Sequence, residues 1–206
     1  MAKTVQRRPK SRETRPRISL GPKFLTTNYT ELLAAIRAVI ANLDREKRET
    51  HRRHVSVGDL LTDRWQIARA YGFGEGTSCY DNVLILGNVV AGRNCWIGPN
   101  VILDGSGDLS IGDYMDISAG VQIYTHDTVR RVRSGGIEPV EYAPTRIGSR
   151  VYIGPQSVIQ RGVTIGDDVT IGAMSFVNRD VPKGTTVWGI PARPLSARMS
   201  SPHMVS

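Results

Sequence analysis

Histidine and cysteine are scarce in this chain, four of one and two of the other among 206 residues, and aromatic residues supply only 6%. The scarcity of histidine limits metal chemistry, because His126 is the only one outside the N-terminal segment (His51, His54) and the tail (His203). Cys79 and Cys95 fall in phase with a repeat described below, so they read as buried small apolar groups. They fit a reducing, cytoplasmic setting. No apolar run reaches the roughly eighteen residues of a membrane span, and the basic N-terminus lacks the apolar stretch of a secretory signal.

An even charge distribution is missing too. The formal net charge is +8, yet residues 1–22 carry seven Lys or Arg against Glu13, residues 23–54 add +3, and residues 55–206 come to −1. The basic character therefore belongs to an appendage, and no specific nucleic-acid partner is expected. Residues 1–22, punctuated by Pro9, Pro16 and Pro22, read as a disordered tail that makes at most a weak contact with an anionic surface.

What the chain does have is a six-residue beat. Counting by sixes from Ile85 meets Ala91, Ile97 and Leu103; after a slip of two it meets Ile111, Ile117 and Ile123. It returns at Ile147, Ile153, Ile159, Ile165, Ile171 and Val177. Glycine follows at 92, 98, 112, 148, 154, 166 and 172, and fifth places are slim, as at Val101, Val121, Val151 and Ser157. Neither the helical period of 3.6 nor the strand period of 2 gives this register. A hexapeptide repeat means a parallel β-helix, with three hexads to a coil and equivalent residues stacked at roughly the 4.8 Å sheet spacing. First places fill the prism, fifth places its corners, and glycine is expected where corners need unusual backbone angles.

Before the repeat, Asn28 and Glu31 form a capping arrangement for a helix whose apolar face is Leu32, Leu33, Ile36, Val39, Ile40 and Leu43. That face is expected to meet the open end of the solenoid or a neighbouring subunit. The charged run Asp44 to Arg53 continues or ends this helix, with His51 and His54 on its charged face. Residues 58–71 suggest a second short helix, and together these elements would cap the first coil. The domain order expected is tail 1–22, helical cap 23–76, solenoid 77–188 and C-terminal extended segment 189–206.

Two interruptions break the beat. Asp104-Gly105-Ser106-Gly107-Asp108 adds two residues, a bulge at a corner. Between Ile123 and Ile147 lie 24 residues where six would suffice. Gly135 and Glu141 occupy would-be core places there, so the stretch reads as an excursion outside the prism. Long loops in compact domains are usually functional. His126 opens this loop and is a candidate general base. Glu141 closes it and is a candidate to orient the imidazole or hold an acceptor hydroxyl.

Several stretches carry a resemblance: Trp96-Ile97-Gly98-Pro99-Asn100, the run Ile117 to His126, Val151-Tyr152-Ile153-Gly154, Gly162 to Gly166, and Gly189-Ile190-Pro191-Ala192-Arg193. In them the chain resembles the hexapeptide-repeat acyltransferases, specifically the sugar O-acetyltransferases of the maltose, galactoside and nodulation type and their surface-polysaccharide variants. The similarity covers about residues 58–196 and omits 1–55. It implies a left-handed parallel β-helix and a homotrimer with sites between subunits. It also implies direct acyl transfer from acetyl-CoA as co-substrate to a sugar or polysaccharide-precursor hydroxyl, with no metal. The catalytic histidine falls on His126 and the acidic residue on Glu141; the coenzyme arm falls on Tyr152, Gly154 and Ala173. Basic residues near the coenzyme phosphates correspond to Arg179 and Arg193, and Asn100 is the acceptor-side candidate. A zinc enzyme on the same solenoid would need several histidines from adjacent coils, where the body has one. The alternatives are N-acylation of a nucleotide-linked amino sugar and a non-catalytic trimeric scaffold that works through the basic tail.

Overall fold

The computed structural model describes residues 28–195; the tail expected over 1–22 lies outside them. The chain divides between residues 42 and 43 into two compact units. The first helix, α1 (Tyr29–His51), runs through that division. Asn28 begins it: its side-chain oxygen accepts from Thr30 N at 3.1 Å, leaving fewer orphan amides at the helix start. None of its residues is buried within the chain, and Ile36 and Val39 stand 46% and 52% exposed. The helix ends at His51, so His54 lies beyond it, beside Asp44 at 2.7 Å, and the two histidines do not share a helical face.

Within the second unit, α2 (Val57–Leu61) and α3 (Arg64–Ala70) precede the solenoid. Ser56 and Asp63 cap them: Ser56 accepts from Asp59 N, and Asp63 from Trp65 N and Gln66 N. Ala68, with Phe73 just beyond α3, joins the core of the coils, and Ile67 packs against it.

The coils stack as the register requires. On one face Cys79, Ile97, Ile117, Ile153, Ile171 and Val187 pair in parallel from rung to rung. On the second, Ile85, Leu103, Ile123, Ile159 and Val177 do the same. On the third, Ala91, Ile111, Ile147 and Ile165 align, with a bridge from Ile165 to Val181. These side chains point inward and are buried, apart from half-buried Ile85, and the corners are filled by Cys95, Val101, Val121, Val151, Ser157, Val163, Val169 and Ser175. A stack of β-branched side chains at one spacing packs a narrow interior without voids. This is the parallel β-helix expected from the repeat, left-handed as the resemblance implies, with its excursion.

One expectation needs correcting. The glycines that follow the inward residues do not adopt positive φ; corners turn left-handed two places later, at Asn94, Asn100, Tyr114, Arg150, Gln156, Asp168 and Met174. The glycines are required by close approach instead. A Cβ on Gly154 would stand 2.5 Å from Ala173 N, and one on Gly112 would stand 2.6 Å from the Gly148 backbone.

The outward faces differ from one another. The second carries Leu84, Ile102, Gln122, Val158 and Phe176 in one paired column. The third carries Val90, Ser110, Arg146 and Thr164. Between the two large coil segments the chain leaves the prism. Ile117 pairs directly with Ile153, so residues 126–146 add no rung. His126–Asp127 and Glu141–Tyr142 form an antiparallel neck, and α4 (Val129–Arg133) lies beyond it.

Candidate active site at the neck of the excursion

Asp104 begins the two-residue bulge, immediately after inward-pointing Leu103. Its side chain is fully buried, at 0% exposure. Burial alone would raise its pKa. Hydrogen bonds from Ser106, Thr125 and His126 outweigh that penalty and hold the carboxyl down at about 2. The contacts are Ser106 N to Oδ1 at 3.0 Å, and Thr125 N to Oδ2 at 2.9 Å. The Thr125 hydroxyl lies 2.8 Å from the Asp104 carbonyl oxygen and 3.2 Å from Oδ2. Asp104 is therefore ionised at neutral pH and can only accept hydrogen bonds.

His126 Nδ1 lies 2.6 Å from Asp104 Oδ2. Because that oxygen has no proton to give, Nδ1 carries the hydrogen and the neutral ring keeps its lone pair on Nε2. The imidazole side chain is 30% exposed, its ring 6.1 Å from that of Tyr142. A positioned imidazole, with a buried carboxylate behind it and one face open, is suited to removing a proton from a hydroxyl or amine.

Glu141, the sequence candidate for orienting the imidazole or holding an acceptor hydroxyl, points its carboxylate at two arginines and not at His126. Its carboxylate takes Arg161 Nη2 at 2.7 Å and Arg130 Nε at 3.3 Å. Arg161 also binds Asp127 through Nε, so one guanidinium joins both strands of the neck. That hydrogen bond, first among the causes, lowers the Asp127 carboxyl and raises the Arg161 guanidinium. The carboxylate that orients His126 is Asp104, from the other interruption. Thr145 fastens the loop's return: buried, it donates to Tyr124 O at 2.8 Å and accepts from Gly162 N at 3.1 Å.

The other sequence candidates fall into separate places. Tyr152 is exposed, and Gly154 lies two residues on, against the Ala173 backbone, so these three share adjoining coils. Arg179 and Arg193 line one cleft near the last coil, with Asn178 and Val187. The Asn178 side-chain oxygen is buried and has no hydrogen-bond partner among the described residues. Asn100 is a left-handed corner residue whose amide oxygen accepts from Asn82 Nδ2 at 3.0 Å. Among the described residues no group of three or more His, Cys, Asp or Glu is placed to hold a metal ion. Cys79 is buried, and that burial, followed by Asp59, pushes its thiol up to about 12, so it is no nucleophile. No helix among them is long and apolar enough to cross a membrane.

Sequence reasoning passed over Asp104 and Arg161. Asp104 sits in a Gly-rich stretch that reads as a turn. A signal existed: Leu103 and Ile123 occupy one column, so the residues after each leave the same corner of neighbouring coils.

Known proteins resemble this chain in the repeat. The family model for the bacterial transferase hexapeptide (six repeats) matches residues 144–179. The galactoside O-acetyltransferase of Escherichia coli (strain K12) is 35% identical over 108 residues, covering 52% of each chain. Nodulation protein L of Rhizobium meliloti (strain 1021) is 40% identical over 108 residues, 52% of this chain and 58% of that one. The match thus spans about half the length of these curated relatives. A hexapeptide-repeat containing acetyltransferase from Vibrio cholerae has a solved structure 27% identical to this chain, with a TM-score of 0.53, covering 80% of this chain and 91% of that one.

Proposed function

We propose that this chain, which carries a hexapeptide repeat, is an acyltransferase moving an acetyl group from acetyl-CoA to a hydroxyl of a sugar or surface-polysaccharide precursor. The observation that carries the reading is the His126 imidazole on the ionised, buried Asp104 carboxylate, at the base of the excursion.

His126 Nε2 takes the proton of the acceptor hydroxyl as its oxygen attacks the thioester carbonyl. Asp104 is a positioning residue that keeps Nδ1 protonated and steadies the imidazolium. The tetrahedral intermediate collapses, the carbon–sulfur bond breaks, and the imidazolium returns its proton to the departing thiolate. Free CoA and an ester result. Glu141, held by Arg161 and Arg130, would present its carboxylate to the acceptor side. Asn100 is retained as an acceptor contact, which it would make by giving up its bond to Asn82. The coenzyme arm would follow Tyr152, Gly154 and Ala173. Arg179 and Arg193 would meet its phosphates, where the unpaired Asn178 oxygen awaits an N–H donor.

The working assembly would be a homotrimer. The outward column Leu84, Ile102, Gln122, Val158 and Phe176, apolar at all but Gln122, supports it, as does the unburied apolar face of α1. Burial of such surface against a copy of the chain returns about 25 cal/mol for each Å² removed from water. A thiol-release screen with acetyl-CoA tests the reading, run over free sugars, oligosaccharide repeat units and nucleotide-linked amino sugars. Ester formation on a saccharide hydroxyl is the expected outcome. Amide formation on an amino sugar would move the activity to N-acylation, and no transfer to any acceptor would contradict it.

A further inference from the structure

A second cleft, remote in sequence from His126, lies where the C-terminal turns of α1 approach α2, α3 and the first coil. Its volume is about 590 Å³, and its walls hold Lys47, His51, Arg53, Arg64, Trp65 and Tyr80. All of these belong to the same compact unit as the coils.

The charges in this cleft are unequally committed. Its two carboxylates are turned to backbone: Asp63 caps α3 through Trp65 N and Gln66 N, and Asp59, buried, takes Asp81 N at 3.3 Å. Arg64 is engaged by stacking, its guanidinium carbon 4.6 Å from the Tyr80 ring centroid and 5.3 Å from that of Trp65. Tyr80 in turn meets Trp96 edge-on at 6.0 Å, which fixes the aromatic floor. Lys47, His51 and Arg53 carry no ion-paired carboxylate among the described residues, although neighbouring Arg48 and His54 share Asp44. The Trp65 indole keeps 44% of its surface exposed. Basic side chains without an ion-pair partner among the described residues, beside a half-exposed indole, fit a ligand that brings phosphate oxygens and a ring together.

We propose that this cleft binds an organic phosphate, with its phosphate groups on Lys47, His51 and Arg53 and its ring against Trp65. A nucleoside diphosphate and a sugar 1-phosphate share that chemistry, and inorganic pyrophosphate has the charge without the ring. The site stands apart from the transfer reaction, so its failure leaves the reading of His126 untouched.

Isothermal titration of the full chain at low salt with uridine diphosphate, glucose 1-phosphate and inorganic pyrophosphate tests it. All three are expected to saturate, with the ring-bearing ligands ahead of pyrophosphate. The flat uracil should place uridine diphosphate ahead of glucose 1-phosphate, and the reverse order would assign the site to a sugar phosphate. The double variant Lys47→Gln/Arg53→Gln is expected to weaken each about tenfold or more. Trp65→Leu is expected to remove the advantage of the ring. Arg179→Gln/Arg193→Gln, in the other cleft, is expected to leave these affinities unchanged. Circular dichroism establishes that each variant is folded. No saturable binding, unchanged affinity in the Lys47/Arg53 variant, or loss confined to the Arg179/Arg193 variant would each overturn the assignment.

Discussion

The regular coils and the two places where they break behave as different materials. In the coils each position has one task repeated rung after rung: Ile117, Ile153 and Ile171 stack in a single column, and Ser157 passes its hydroxyl hydrogen bonds to the coil beside it. The breaks have no such repetition. Residues 104–108 supply a fully buried carboxylate, and residues 126–146 supply the only histidine of the solenoid, in hydrogen-bond contact with it. A repeat averages its residues into a scaffold, whereas an interruption frees single side chains to differ. The candidate site collects where the beat fails.

The largest effect that sharpens this comparison is expected at His126. His126→Ala should lower turnover by roughly 10² to 10⁴ while acetyl-CoA still binds and the unfolding transition stays in place. A column residue should do the reverse. Ile153→Ala empties a fully buried place and should cost about 2–5 kcal/mol in urea unfolding, with the activity of each folded molecule unchanged.

Asp104 belongs to both categories, and its contribution depends on pH. Its folded pKa of about 2 lies below the ordinary 3.8. The stabilisation is therefore present above the unfolded value and is lost as pH falls through the folded one. Asp104→Asn should cost about 2 kcal/mol at neutral pH, and the gap to the parent chain should close between about pH 4 and pH 2. Urea midpoints across that range measure it. The smallest effect is assigned to the cleft near the last coil. Neutralising Arg179 and Arg193 should raise the KM for acetyl-CoA about tenfold and spare an acetylated pantetheine fragment, which lacks the distal phosphates.

The fold was legible because a period of six states the same fact at thirteen places, and Ile, Leu, Val or Ala at each of them admits one geometry. The excursion was legible for the same reason, since Gly135 and Glu141 could not serve as core. His126 stood out by being alone in the body. Its partner did not, because Asp104 and Asp108 look alike in a Gly-rich turn and only the register of Leu103 over Ile123 separates them. For Glu141 the sequence leaves open whether it orients the imidazole or holds an acceptor hydroxyl, because it places the residue at the loop's end without revealing that Arg161 reaches it from the next coil. For the glycines after the inward residues the sequence suggests only backbone angle, since coil-to-coil approach is a contact between residues well apart in sequence.

A double-mutant cycle on Asp104 and His126 addresses the central claim, that the two interruptions meet to make one working pair. Turnover of Asp104→Asn, His126→Ala and the combined variant would be compared at saturating acetyl-CoA with an accepted saccharide. If the carboxylate acts through the imidazole, Asp104→Asn lowers turnover in the parent chain and has no further effect once the imidazole is gone. Losses that simply multiply would mean that the two side chains act independently, and the pair would not be the catalytic unit.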